Sequence, residues 1–545
     1  MTLPHGILPS ATGPATQEHT PHAKATAHAD DASKRGTLVA MILASGVVFL
    51  DGTVVNVALP AIGRELAVGL SSLQWIVDGY ALTLAALLIV GGSLGDHYGR
   101  KRMLSLGLVG FGIASVTCAL APNAGVLIAA RMLQGVAGAL LVPEGLAIIS
   151  AVYTDAAERG QAIGAWTGWG GIATVVGPFI GGALVDQSSW RWVFLINVPL
   201  ILVTLVLVAR FVPETRDPDA PKRLDYGGAA LVIFGLGGVS YGLIEGPNSG
   251  WASPIILTAL IGGVAVLIAF VAVEARSPAP MMPLGLFKTR NFTGANLATL
   301  GTYAALGGAS FFLVIYVQNT LRYSALAAGA TLLPLSVMML LFASRAGKLS
   351  GQYGPRRFMT LGPILLGIGF LLLFLAHPGA SYWTSIFPAA ILMGAGLCLN
   401  VAPLTSTVMG SVSGHNSGIA SAINNVSSRV AGLLAVAGIG VVVSLVFTGE
   451  LNTRAQGLPP NVAGIVRDAG RSVSGAAPKD APPEAARAVA DSYTVAFHRA
   501  MLTCALLAFA SGIVSFLIIQ DPDKKPTTAT RDPSPASGEQ AVTTQ

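Results

Sequence analysis

Gly92-Ser-Leu-Gly-Asp96-His-Tyr-Gly99-Arg100-Lys101-Arg102-Met-Leu-Ser-Leu-Gly107 returns later in the chain as Gly347-Lys-Leu-Ser-Gly351-Gln-Tyr-Gly354-Pro-Arg356-Arg357-Phe-Met-Thr-Leu-Gly362, offset by 255 throughout. In each copy an apolar run ends, a turn bearing glycine and cations follows, and a second apolar run begins. A helical membrane span needs about 20 mostly apolar residues. That window finds fourteen candidates, near 37–62, 74–95, 103–121, 125–151, 161–185, 191–212, 226–244, 254–273, 293–317, 327–347, 357–376, 383–407, 418–447 and 498–518. Adding 255 carries span 1 onto span 9 and span 2 onto span 10. Spans 1–6 and 9–14 therefore read as two parallel copies, with spans 7 and 8 inserted between them. Parallel halves related by an axis along the membrane normal are a transporter architecture, with the substrate between them.

Composition agrees. The 545 residues are 53% hydrophobic and 11% charged, whereas soluble domains carry about a quarter charged residues. Cys118, Cys398 and Cys504 all lie in apolar stretches, with no disulfide framework and no metal spacing. The net charge of +6 would suggest nucleic acid in a soluble protein, but membrane topology explains it better. With the N-terminus cytoplasmic, cytoplasmic segments hold 21 of the 32 basic residues and external ones hold nine, six of them in one long loop near 448–499. Long loops count little in the positive-inside rule, and 21 against three decides for both termini inside. Trp190, Trp192, Trp251 and Trp383 fall at span ends as aromatic anchors. The N-terminus does not read as a secretory signal, because a polar tail precedes a first apolar run long enough to span.

The expected organisation is a disordered cytoplasmic tail over 1–36, an N-terminal six-helix half over 37–212, and two inserted helices with linkers over 213–292. A C-terminal six-helix half over 293–518 follows, with an external loop at 448–497, and then a second cytoplasmic tail over 519–545. The first tail carries His5, His19, His22 and His28 among Ala, Thr and Pro. A solvated tail is the plain reading and metal binding the alternative.

Several stretches carry a family likeness. Gly92-x-Leu-x-Asp96-x-x-Gly99-Arg100-Lys101 resembles the signature of the major facilitator superfamily. Gly177-Pro178-x-x-Gly181-Gly182 in span 5 looks like the motif of its drug/proton antiporters. Leu50-Asp51-x-Thr53-Val-Val-Asn56-Val-Ala-Leu-Pro60, Arg131-x-x-Gln134-Gly135 and Trp190-Arg191-Trp192-Val-Phe-Leu-Ile-Asn197-Val-Pro199 are similar to the fourteen-span drug/proton antiporter family. The resemblance implies an all-α integral membrane protein of the major facilitator fold, and proton-coupled export of a drug, antibiotic or similar amphiphile. It also implies that Asp96, with Gly99, Arg100 and Lys101, latches the two halves by facing a helix N-terminus and nearby arginines, an anion–dipole attraction. Two departures stand out. The second copy of the signature has Gly351 in place of the aspartate, and Ala173 stands where the span 5 pattern often has glycine.

Ionisable groups inside the bilayer cost about 2.5–3.5 kcal/mol each on insertion scales and are functional candidates by default. The acids within spans are Asp51, Asp78 and Glu144, and between Glu274 and Glu450 there is no Asp or Glu. A carboxylate proton carrier must therefore lie in the first half. Asp51 is expected about 16 Å from the external end of span 1 and Arg131 about 9 Å from that of span 4, a difference a long arginine can bridge. Proton coupling is assigned to Asp51 and Arg131, with a static ion pair as the bland reading. Asp78, Glu144, Arg429 and Asn56 are candidates for the substrate cavity. Asp78, close to the external surface, suits a water-exposed position equally well, and Glu144 follows Pro143, which frees a carbonyl and bends the helix. Arg429 has no acid in its half, and it either binds carbonyls or lines the cavity. Gly168, Gly170, Gly171, Gly177, Gly181 and Gly182 permit close helix approach, with Pro178 bending the span.

The chain thus reads as a transporter that needs no cofactor or metal. Its expected partners are a small-molecule substrate, protons and the lipid bilayer of the cell membrane, without nucleic acid, and it is expected to act as a monomer. A proton-coupled importer is the alternative within transport, disfavoured by the Gly-Pro motif. A membrane enzyme or receptor is the alternative outside it, disfavoured because no Walker motif or nucleophile elbow appears. The topology has a direct check: an impermeant thiol reagent applied to intact cells should label Ser474→Cys and leave Ser33→Cys unlabelled. Labelling of Ser33→Cys would reverse the orientation.

Overall fold

Lipid offers no partner to backbone N–H and C=O groups, so each long apolar run must close its own hydrogen bonds as a helix. The computed structural model describes residues 31–217, 225–277, 280, 282–412, 417–472 and 481–521, and among these there is no strand. The first half consists of α1 (Asp31–Glu65), α2 (Leu70–Tyr98), α3 (Arg100–Ala119), α4 (Ala124–Ala139), α5 (Val142–Val152), α6 (Ala156–Gln187), α7 (Trp192–Leu195) and α8 (Asn197–Phe211). The inserted pair is α9 (Tyr226–Ser249) and α10 (Pro254–Glu274). The second half consists of α11 (Arg290–Asn319), α12 (Ala325–Ala330), α13 (Leu333–Tyr353), α14 (Pro355–Leu372), α15 (Tyr382–Gly410), α16 (Ser417–Ala455), α17 (Pro460–Ser472) and α18 (Pro483–Ile518). Taking α4 with α5, α7 with α8 and α12 with α13, fourteen helices are long and apolar enough to cross a membrane.

The sequence limits need correction where helices outrun the bilayer. Residues 448–497 are not mainly loop: α16 continues to Ala455, α17 follows, and α18 starts at Pro483. A hydropathy window stops where charge begins, whereas a helix stops only where its backbone bonding does. Val462, Ala463, Val466 and Ala469 share one face of α17 and are buried with Leu451, Val489 and Tyr493 in a folded cap. The tail also yields its last residues to α1, which begins at Asp31; His5, His19, His22 and His28 lie outside the described residues. Trp190 is buried rather than interfacial, its Nε1 donating to Glu65 at 2.7 Å, while Trp192 and Trp383 are exposed.

The bundle has two ends. The terminal end carries the start of α1 and the close of α18; the distal end carries the turns around residues 66–69 and 320–324. At the distal end the halves are fastened to one another. Gln318 Nε2 donates to the Val57 carbonyl at 2.9 Å and Gln74 Nε2 to the Val436 carbonyl at 2.7 Å. Asp186 accepts from the first backbone N–H groups of α12, Ala325 at 2.9 Å and Leu326 at 2.8 Å. That caps a helix of one half with an acid of the other. Gly182 lies against the Ala325 backbone and Gly329 against the Pro178 backbone, so closely that a Cβ at either would overlap it. Of the Gly-Pro motif, Gly182 and Pro178 therefore serve the contact between halves, while Gly177 and Gly181 pack α6 on α1 within the first half.

The inserted α9 lies over the seam between α2 and α16. Its hydrogen bonds run to α2, where Trp75 Nε1 donates to Glu245 at 3.1 Å and Asn248 Nδ2 to Ser71 at 3.1 Å. Its apolar packing bridges the seam, with Leu236 between Leu82 of α2 and Leu433 and Val430 of α16.

At the terminal end the duplication is visible in three dimensions. Gly99 (φ +111°) and Gly354 (φ +91°) each turn the chain in a conformation that favours glycine. Beside each sits an acid that follows the last helix of its half. The Lys101 N–H donates to Glu214 Oε1 at 3.0 Å, and the Arg356 N–H donates to Asp521 Oδ1 at 3.0 Å. The second signature lacks its aspartate at Gly351, yet an acid still caps the helix that follows. The first residues of the tail expected from 519 are accordingly docked, through Asp521, and the rest lies outside the described residues.

Two outcomes are expected. Asp521→Ala should cost about 1 kcal/mol, the usual worth of an N-terminal capping acid, read as a lower midpoint of thermal unfolding in detergent; an unchanged midpoint would refute the cap. Gly182→Val should hold the distal end apart, so that a cysteine at Asn319, buried in the parent, reacts several-fold faster with a water-soluble maleimide. An unchanged rate would refute the contact.

Candidate functional site

A guanidinium and a carboxylate cannot both leave water unless they meet each other and fill their remaining hydrogen bonds. Asp51 (0% exposed) and Arg131 (1%) meet that condition. Arg131 Nη1 lies 2.5 Å from Asp51 Oδ2 and donates also to Gln134 Oε1 at 2.7 Å, while its Nε donates to the Ile76 carbonyl at 3.0 Å. The other carboxylate oxygen of Asp51 accepts from Gln134 Nε2 and Asn197 Nδ2, both at 2.9 Å. Those two amides in turn donate to Ser115 Oγ, at 2.9 and 3.3 Å. The guanidinium lies 4.2 Å from the centre of the Tyr80 ring and 5.9 Å from that of Phe194, placing an aromatic face against desolvated charge.

Six helices contribute: Asp51 from α1, Ile76 and Tyr80 from α2, Ser115 from α3, Arg131 and Gln134 from α4, Phe194 from α7 and Asn197 from α8. Arg131 and Gln134 are three apart, hence on one face of α4, and Gly135 lets that face approach α2 at the Tyr80 carbonyl. Gln134 and Asn197 were not singled out from sequence. Both stand inside stretches whose family likeness was noted, and a buried carboxylate with an arginine on one oxygen still needs donors for the other.

The remaining candidates are dispersed. Asp78 is 1% exposed, with no hydrogen-bond partner for either oxygen among the described residues. It is not at a wet interface: Gln74 and Leu82, four residues to either side on the same face of α2, meet α16 at Val436 and Leu433. It lies on the α2 face that turns toward α16, which depth alone could not reveal. Glu144 is likewise 1% exposed and unpartnered. Its carboxyl group fills the space that a Cβ on Gly95 would occupy. The bend expected near Pro143 is a break at Leu140 and Leu141, where α4 gives way to α5. Arg429, half-buried on α16, makes no ion pair among the described residues and lies within electrostatic reach of Tyr80. Asn56 is half-buried on α1, five residues beyond Asp51.

Asp96 stays within its own half. Its Oδ1 accepts from Arg100 Nη2 at 2.6 Å and from Arg100 Nε at 2.9 Å, and Lys101 Nζ reaches the Ala209 carbonyl at 3.3 Å. In α6, Gly177 and Gly181 close on Thr53 and Val54 of α1 and Gly170 on Phe49, while Gly168 and Gly171 have open space beside them. The last two therefore do not pack a helix in this conformation. Among the described residues no cluster of His, Cys, Asp and Glu could hold a metal ion.

Comparison with known proteins places this geometry. The family model described as the Major Facilitator Superfamily matches residues 41–436. The puromycin resistance protein pur8 of Streptomyces alboniger is 36% identical over 73% of this chain and 80% of its own length. The multidrug efflux pump LfrA of Mycolicibacterium smegmatis is 32% identical over 85% of this chain and 91% of its own. Among solved structures, a bacterial homologue of the human lysosomal transporter Spinster superposes with a TM-score of 0.63 at 17% identity, covering 90% of this chain and all of that one. A fourteen-span helical bundle, a duplicated signature and a buried arginine–aspartate centre thus meet a family match over most of the chain, and the protein belongs to the major facilitator superfamily.

Proposed function

We propose that this carrier exports a small organic compound, of the drug or antibiotic kind, across the cell membrane in exchange for protons, with Asp51 as the proton site. The observation that carries the reading is the sealed Asp51–Arg131 centre, the one ion pair among the described residues with both side chains essentially unexposed. Support comes from relatives of comparable length named for resistance and efflux.

The geometry suggests the cycle. The charge count puts the terminal end in the cytoplasm. The halves are fastened at the distal end, so the conformation described is closed to the outside and receives its compound from within. While Asp51 is ionised, Arg131, Gln134 and Asn197 hold it and thereby hold α1 against α4 and α8. Protonation cancels the charge that Arg131 neutralises, and the network relaxes. The conformational change that exposes the site is then the one that lets its proton exchange, as coupling requires. Gly52, next in the chain, is exposed, so opening needs little movement to bring water to Asp51. Asp78, buried at the seam, is a second acid available to this cycle, and Arg429 and Asn56 border the region where the compound would sit. The latch role of Asp96 belongs to the opposite, terminal-closed conformation.

The test is efflux driven by an imposed pH gradient in proteoliposomes, with gradient-free substrate exchange measured beside it. Asp51→Asn should reduce driven efflux to background while exchange of a neutral substrate persists, because an amide keeps size and hydrogen bonding but carries no proton. It also leaves Arg131 uncompensated, a change that costs about 3–5 kcal/mol in buried pairs, so Asp51→Glu is the companion variant, expected to keep partial, pH-shifted activity. Driven efflux at the parent rate from Asp51→Asn would overturn the assignment, and accumulation of compound inside cells would favour import.

A further inference from the structure

A second acid, at the other end of the first half, is buried without a partner. Glu144 stands in the first turn of α5 with both carboxyl oxygens free of hydrogen bonds among the described residues and 1% of its surface exposed. Its carboxyl group lies in a notch of α2 that exists because residue 95 is glycine, and the neighbouring Pro143 packs on Gly92. The notch is directly beneath the loop signature, one residue before Asp96.

The groups facing it decide which form it can hold. From the signature come Asp96 and Arg100, and from the segment after α8 comes Glu214. Two acids thus accompany one base, and the base is engaged by Asp96 at 2.6 Å. Ser45 of α1 and Trp166 of α6 pack against the next residue, Gly145, and their hydroxyl and indole N–H bond one another at 2.9 Å. Among the described residues no cation is hydrogen-bonded or ion-paired to the Glu144 carboxyl group. A carboxylate buried without compensation is the costliest state available to it, whereas the neutral acid is far less penalised. The break at Leu140 and Leu141 separates α5 from α4, so α5 has a point about which it can tilt from α2.

We propose that Glu144 is a second proton-binding site of this carrier, loaded from the terminal face, and that its protonated form holds α5 in the Gly95 notch in the conformation described. Loss of the proton to terminal-side water leaves a carboxylate that must reach solvent or Arg100, and either course draws α5 off α2 and disturbs the Asp96–Arg100 pair. The site is independent of Asp51 and of the transported compound.

The test is a distance, not a transport rate. Spin labels at Ser150→Cys on α5 and His97→Cys at the end of α2, in nanodiscs without substrate, report separation of the two helices. The parent should shift to longer distances from acidic to alkaline pH. Glu144→Gln, a permanently neutral mimic, should keep the acidic-pH distribution at both. Gly95→Ala, whose Cβ takes the place of the carboxyl group, should give the alkaline distribution at both, and it keeps the proposal testable if Glu144→Gln fails to fold. Asp51→Asn should retain the shift, which separates this site from the proposed coupling site. A parent with no shift, a Glu144→Gln that shifts like the parent, or a response lost only in Asp51→Asn would each overturn the proposal.

Discussion

Everything in the first half is arranged around one constraint, the expense of keeping a carboxylate and a guanidinium out of water. An isolated ion of this size loses several kcal/mol on entering a protein interior even after relaxation, so it persists only where every oxygen and N–H is engaged. Asp51 and Arg131 draw in Gln134, Asn197, Ser115 and the Ile76 carbonyl, which fixes the relative positions of α1, α2, α3, α4 and α8. A change of charge on either partner alters the bonds around it, which is what the proposed coupling role of Asp51 uses.

The second half solves its interior differently. With no acid between Glu274 and Glu450, its buried polar contacts are neutral: Thr302 with Ser511 at 2.8 Å, Asn400 with Thr302 at 3.2 Å, Asn424 with Thr299 at 2.7 Å. Its deeper packing is aromatic, with Tyr316 and Phe497 stacked 4.0 Å apart. The acids of that half lie outside the stretch between Glu274 and Glu450, in the distal cap and at Asp521, so its spans from α11 through most of α16 carry no carboxyl group. The distal contacts between Gly182 and Ala325 and between Gly329 and Pro178 allow backbone-to-backbone approach, and a contact made by backbones can part without stranding long side chains.

The inserted hairpin and the distal cap extend the same logic. The bonds Trp75 to Glu245 and Asn248 to Ser71 fasten α9 to α2, and its apolar side rests on both α2 and α16, so it covers the seam between the halves. The cap formed by α17 with the ends of α16 and α18 lies wholly within the second half.

The sequence by itself determined the number of spans, the duplication at an offset of 255, the insertion of two helices and the half in which any coupling acid must lie. These follow from one-dimensional facts, since lipid demands length and apolarity, and a missing residue type is missing in any fold. It also placed Asp51 and Arg131 at depths an arginine could bridge, because rise per residue is fixed in a helix. Tertiary structure decided what rise cannot, namely which way each residue faces and what stands opposite. Gln134 and Asn197 complete the site because α4 and α8 are rotated to present them. Asp78, near a surface by count, is buried, on the face of α2 whose Gln74 and Leu82 meet α16. Glu144 points into a notch of α2 because residue 95 of that helix has no side chain. Helix ends past the bilayer, as at 448–497, were likewise hidden, because hydropathy reports the solvent and only the backbone reports the helix.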